Sequence, residues 1–62
     1  MQQEIIRILL VDDKVELRQN IRRLLSFEDA IEIVGEASNG QEAIEAARKT
    51  RPDLILMDIN MP

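Results

Sequence analysis

Ile5-Ile6-Arg7-Ile8-Leu9-Leu10-Val11-Asp12-Asp13 and Leu54-Ile55-Leu56-Met57-Asp58 decide how this chain is read. Both are short apolar runs that end in carboxylates. The first is broken only by Arg7, and a short run so rich in Ile, Leu and Val predicts a strand buried on both faces of a sheet. Such strands are parallel and need helices over them. The intervening sequence has to supply those helices.

From Lys14 to Ser26 the period changes. Leu17, Ile21, Leu24 and Leu25 fall on one face of an amphipathic helix, with Glu16, Arg18, Arg22 and Arg23 opposite. Ile31-Glu32-Ile33-Val34-Gly35-Glu36 then alternates in part between apolar and acidic residues, as an edge strand does when charge guards it against further pairing. Asn39-Gly40-Gln41-Glu42 opens a second helix. Asn39 can cap its free amides, and Glu42 can reach back as in a capping box. Ala43, Ile44 and Ala47 form its apolar stripe. Thr50-Arg51-Pro52 ends it, because the residue before proline is pushed out of the α region. Asp53 to Asp58 is the third strand, with Asp53 at its start and assigned no function.

Strand, helix, strand, helix, strand is the alternation of an α/β fold with parallel strands and right-handed crossovers. The first strand is the most apolar and the second has edge character, so the spatial order is expected to be 2-1-3. The first and third strands are then neighbours about 4.8 Å apart. Asp12, Asp13 and Asp58 gather at their carboxyl ends, where open α/β sheets bind ligands. Acids after a strand are common for purely structural reasons, since they suit helix N-termini and loops. Asp58, alone at the end of an apolar run, is harder to explain that way. Three carboxylates in one crevice call for a counter-charge, and a hard divalent cation such as Mg2+ suits oxygen ligands. A carboxylate beside such a cation can act as a nucleophile toward a phosphoryl group.

Composition narrows the function classes. The 62 residues carry a formal net charge of -4, no cysteine, no histidine and one aromatic residue, Phe27. The basic residues are scattered, which argues against nucleic-acid binding by this segment. No apolar run approaches the roughly 20 residues that span a bilayer. Met1-Gln2-Gln3-Glu4 lacks the basic start of a signal peptide. A cytoplasmic setting is expected. Without histidine the commonest general base is missing, and turnover as an enzyme is not expected.

Ile8-Leu9-Leu10-Val11-Asp12-Asp13, Val34-Gly35-Glu36-Ala37-Ser38-Asn39-Gly40 and Arg51-Pro52-Asp53-Leu54-Ile55-Leu56-Met57-Asp58-Ile59-Asn60-Met61-Pro62 together resemble the receiver domain of bacterial two-component response regulators. The likeness runs without gaps from about Ile6, and the middle segment is most similar to the subfamily whose receiver precedes a helix-turn-helix DNA-binding domain. It implies a flavodoxin-like fold. It makes Asp58 the phosphoacceptor served by a histidine kinase, with Asp12 and Asp13 the pair that holds Mg2+, Asp13 directly and Asp12 through water. Asn60 would complete the metal site with its backbone carbonyl. Lys14 follows the pair where many relatives have histidine, and the resemblance gives it no role.

The resemblance implies that residues 1–62 are a truncated receiver domain, the β-α-β-α-β half of the fold. In the family that this chain resembles, a full receiver is about twice as long, with two more strands, three more helices, a Thr or Ser on the fourth strand and a Lys on the fifth, in keeping with a five-stranded flavodoxin-like sheet. None of these has a counterpart in this sequence. The expectation is therefore a signalling-impaired phosphoacceptor that self-associates as a homodimer through its third-strand edge and uncovered sheet face. The alternative is a self-assembling structural fragment, from fold evolution or design, that retains no activity.

Overall fold

The computed structural model describes residues 4–58. Along them run β1 (Ile6–Val11), α1 (Val15–Leu25), β2 (Ile31–Ala37), α2 (Gly40–Thr50) and β3 (Leu54–Met57). The strands are parallel and lie in the order β2-β1-β3, as the alternation and strand composition predict.

β1 earns its central place. Ile8, Leu9, Leu10 and Val11 are each no more than 3% exposed, so side chains on both faces of the strand are covered. Burial of a side chain of this size stabilises a fold by about 1.5–3 kcal/mol. Leu9 and Val11 point to the side where Ala37 and Ala43 complete a small core, with Ala46 and Ala47 packed against it.

The helices depart from the expected stripes in instructive ways. In α2 the covered residues are Ala43, Ala46 and Ala47, while Ile44 stands outward at 56% exposure. Alanines three and four apart present one flat strip that lets the helix axis approach the sheet; Ile44, one residue round the helix, lies off it. In α1 no residue is buried. Leu17 and Ile21 do face the sheet, but they line an open groove with Leu10, Leu56 and Met57 rather than a closed core. The helix leans toward β2 instead, because Arg18 and Arg22, assigned by periodicity to the outward face, both pair with Glu36 of β2.

Helix α2 is capped as its sequence predicts at the start. The Glu42 amide donates to Asn39 Oδ1 at 2.9 Å. The Glu42 carboxylate reaches back to Ser38 rather than to Asn39, accepting from its amide at 2.9 Å and its hydroxyl at 2.7 Å. At the other end, Arg51 leaves the helix with φ 49° and ψ 64°, a left-handed cap whose amide donates to the Ala47 carbonyl at 2.8 Å. The residue before Pro52 is thus outside the right-handed α region as expected, in the mirror conformation rather than an extended one.

One irregularity was not predicted. Between Ile8 and Leu9 the β1–β2 register shifts, so that Ile8 pairs with Ile33 and Leu9 with Gly35, leaving Val34 as a bulge. A Cβ at Gly35 would lie 3.2 Å from Leu9 Cδ1. Glycine allows β2 to close on a fully buried leucine just where the ladder is disrupted.

Candidate functional site

The acids are placed by the ends of two neighbouring strands. The Asp12 amide donates to the Ala37 carbonyl at 3.0 Å, prolonging the β1–β2 ladder, and the Asp58 amide donates to the Val11 carbonyl at 3.3 Å, prolonging β1–β3. Backbone pairing on both sides thus carries the two residues to the same end of the sheet. Asp12 is buried at 4% exposure, and its Oδ1 accepts from the Lys14 amide at 2.8 Å. That bond fixes its carboxylate as the chain turns into α1. Asp13 is exposed and Asp58 half-buried. One carboxylate oxygen from each of Asp12, Asp13 and Asp58 can be chosen so that all three lie within 4.8 Å of one another.

Lys14 brings a cation to this cluster. Its Nζ lies 3.5 Å from Asp13 Oδ1 and 3.6 Å from Asp58 Oδ2. The Asp13 charge above all, then those of Asp12 and Asp58, hold the ammonium above its ordinary pKa. Arg18 braces the same turn from behind. Its guanidinium donates to the Asp12 carbonyl and, through Nε at 3.1 Å, to Glu36 Oε1. Arg22 Nη1 donates to the other Glu36 oxygen, Oε2, at 2.6 Å. Periodicity alone missed this bracket. Its only trace in the sequence is Glu36, an acid between Gly35 and Ala37 that wants a partner.

Asp53, assigned no function from the sequence, and Thr50 both have structural roles away from the acids. Asp53 lies at the opposite end of the sheet, its Oδ2 accepting from the Arg7 amide at 2.9 Å and its amide donating to the Arg7 carbonyl at 2.8 Å. Those bonds pin the start of β3 to β1. The Thr50 hydroxyl donates to the Ala46 carbonyl within α2. Asn60, expected to add a backbone carbonyl, lies outside the described residues.

The donor set fits a divalent cation of the magnesium kind. It is all oxygen and all carboxylate; the innermost member is orientated by a backbone amide, Asp58 is half-buried and Asp13 is exposed, so that waters can reach the site from the Asp13 side.

The family model for the response regulator receiver domain matches residues 8–62. The chain belongs to that family. Among its relatives, the nitrate/nitrite response regulator protein NarL of Escherichia coli (strain K12) is 52% identical over 60 residues, 97% of this chain and 28% of the relative. The transcriptional regulatory protein BtsR of Salmonella typhi is 53% identical over 57 residues, 92% of this chain and 24% of the relative. A protein-glutamate methylesterase/protein-glutamine glutaminase of Alkalilimnicola ehrlichii is 51% identical over 57 residues, covering 92% of this chain and 15% of that enzyme. This receiver chain therefore spans about a quarter or less of the relatives it matches. Near-equal identity to regulators and to an enzyme shows that receiver residues do not by themselves specify the rest of the protein. Among the described residues, no helix is long and apolar enough to cross a membrane.

Proposed function

We propose that this receiver chain is a phosphoacceptor for a histidine kinase, with Asp58 as the acceptor and Mg2+ held by Asp13 and Asp58 directly and by Asp12 through water. The backbone carbonyl of Asn60 is assigned the remaining protein ligand. One observation carries the reading: strand pairing delivers Asp58 to the Asp12–Asp13 turn, with oxygens within 4.8 Å. In the transfer, an Asp58 carboxylate oxygen forms a bond to phosphorus as the bond from phosphorus to the donor histidine nitrogen breaks. That nitrogen keeps the electron pair, and the product is an acyl phosphate. Bound magnesium supplies charge neutralisation for the clustered carboxylates and the incoming phosphoryl oxygens. The role is that of a cytoplasmic signalling module rather than a turnover enzyme. For the parent protein the reading is a transcription regulator with DNA contacted by a separate domain, because Val34-Gly35-Glu36-Ala37-Ser38-Asn39-Gly40 resembles the subfamily whose receiver precedes a helix-turn-helix domain.

Titration with Mg2+, followed by NMR at the amides of Asp12, Asp13 and Asp58, tests the site. Saturable shifts are expected, weakened about tenfold or more in Asp58→Asn, since even the outer partners of metal ligands are worth that much. Incubation with an acyl phosphate donor and Mg2+ should add one phosphoryl group by intact mass, slowly, and not in Asp58→Asn. An Asp58→Asn variant that binds Mg2+ as tightly as the parent would overturn the assignment.

A second reading concerns assembly, and β3 favours it. All four of its residues are exposed although all are apolar. A second copy pairing along that edge would cover them, as a homodimer.

A further inference from the structure

We propose that Lys14 is a tethered counter-ion that competes with a divalent cation for Asp13 and Asp58 and thereby sets the metal affinity of the site. The inference rests on the proposed use of the three acids as a metal site.

Two separate observations point the same way. The first is position. Lys14 Nζ stands 3.5 Å from Asp13 Oδ1 and 3.6 Å from Asp58 Oδ2, between the two carboxylates that would hold the ion directly. The root of the side chain is fixed there. The Lys14 amide donates to Asp12 Oδ1, and its carbonyl accepts the first helical bond of α1 from the Arg18 amide at 3.2 Å.

The second is the mismatch between Lys14 and the helix it begins. Lys14 is the N-cap of α1 and makes no side-chain cap bond. N-caps favour Ser, Thr, Asp or Asn, and a cation at the positive end of a helix dipole is unfavourable. The helix gains nothing from lysine here; the acids do.

The ammonium is also free to leave. The Lys14 side chain is 63% exposed on a flexible stem, whereas the Arg18 side chain is 14% exposed and its guanidinium is committed to Glu36 and the Asp12 carbonyl. A hydrated metal approaching from solvent therefore displaces Lys14 and leaves Arg18 in place.

The test uses the two lysines of the chain against each other. Mg2+ titrations of the parent, Lys14→Met, Lys14→Arg and Lys49→Met are followed by NMR at the Asp13 and Asp58 amides and at the lysine Cε–Hε signals. Lys14→Met should bind about two- to fivefold more tightly, the size expected on removing an exposed ion pair. Lys14→Arg and Lys49→Met should stay near the parent. In the parent, the Lys14 signal should move with the same half-saturation as Asp13 while Lys49 stays still. Unchanged or weaker binding by Lys14→Met, or a silent Lys14 signal as the acids saturate, overturns the counter-ion. Absence of saturable binding in every protein overturns the metal site itself, and the counter-ion with it.

Discussion

Glu42 holds together the turn between β2 and α2 with three bonds: its amide to Asn39, and its carboxylate to the Ser38 amide and hydroxyl. The Ser38 hydroxyl, then the Ser38 amide, and to a lesser degree the charge of Arg18, hold its pKa below the ordinary glutamate value. A carboxylate depressed in the folded state contributes stability above its unfolded pKa of about 4.3, and the contribution disappears as pH falls through the folded value. Glutamine mimics the protonated acid. Urea midpoints of Glu42→Gln should therefore lie below the parent's at neutral pH and converge with them in acid, once the pH has fallen below the depressed value. A gap that stays constant down to acid pH would show that shape rather than charge matters there. The pairing of Asn39 and Glu42 was legible because cap spacing is local. The role of Ser38 was not, since the capping pattern names the N-cap residue as partner and the chain bends one residue further back. Lys14 was opaque for a different reason: its partner Asp58 is distant in sequence, and only the β1–β3 pairing brings it near.

At the scale of elements, β1, α1, β2, α2 and β3 were all legible, as was the order β2-β1-β3, because burial on both faces of β1 and charge on β2 are written into their composition. The acid cluster followed from that order alone. What the sequence withheld is how elements lean on one another. Periodicity finds the apolar stripe of α1 but cannot see that Glu36 draws Arg18 and Arg22, and with them the helix, toward the sheet edge. The bulge was hidden too, since Gly35 reads as ordinary punctuation until Leu9 is placed against it. Gly35→Val tests that contact. A Cβ there would sit 3.2 Å from the Leu9 side chain, which is fully buried and has little room to give. Overpacking of this kind costs about 1–3 kcal/mol. Denaturant unfolding should show a loss in that range with the chain still folded. A neutral effect would mean that β2 slides at the bulge to admit the side chain.

For the whole molecule the two sheet edges are unequal, and the inequality makes a prediction about assembly. Along β2 the edge carries Glu32 and Glu36 and is interrupted by the bulge at Val34, devices that discourage further pairing. Along β3, Leu54, Ile55, Leu56 and Met57 carry no charge, and each is between 37% and 49% exposed. Covering these four side chains would remove apolar surface from water, which favours association. A two-fold axis beside β3 would set two copies antiparallel, matching one apolar edge with its own image. The opposing term is charge. Each 62-residue chain carries -4, and two copies repel over the Debye length of about 10 Å at 0.1 M salt. Light scattering across a concentration series should therefore show the mass rising toward that of a dimer, more readily at higher salt. Ile55→Lys, which puts a charge on the edge without opening a core, should return it to the monomer. A monomeric mass at every concentration and salt would rule out pairing through β3. A dimer indifferent to Ile55→Lys would place the contact elsewhere, with the groove between α1 and β3 the next surface to probe.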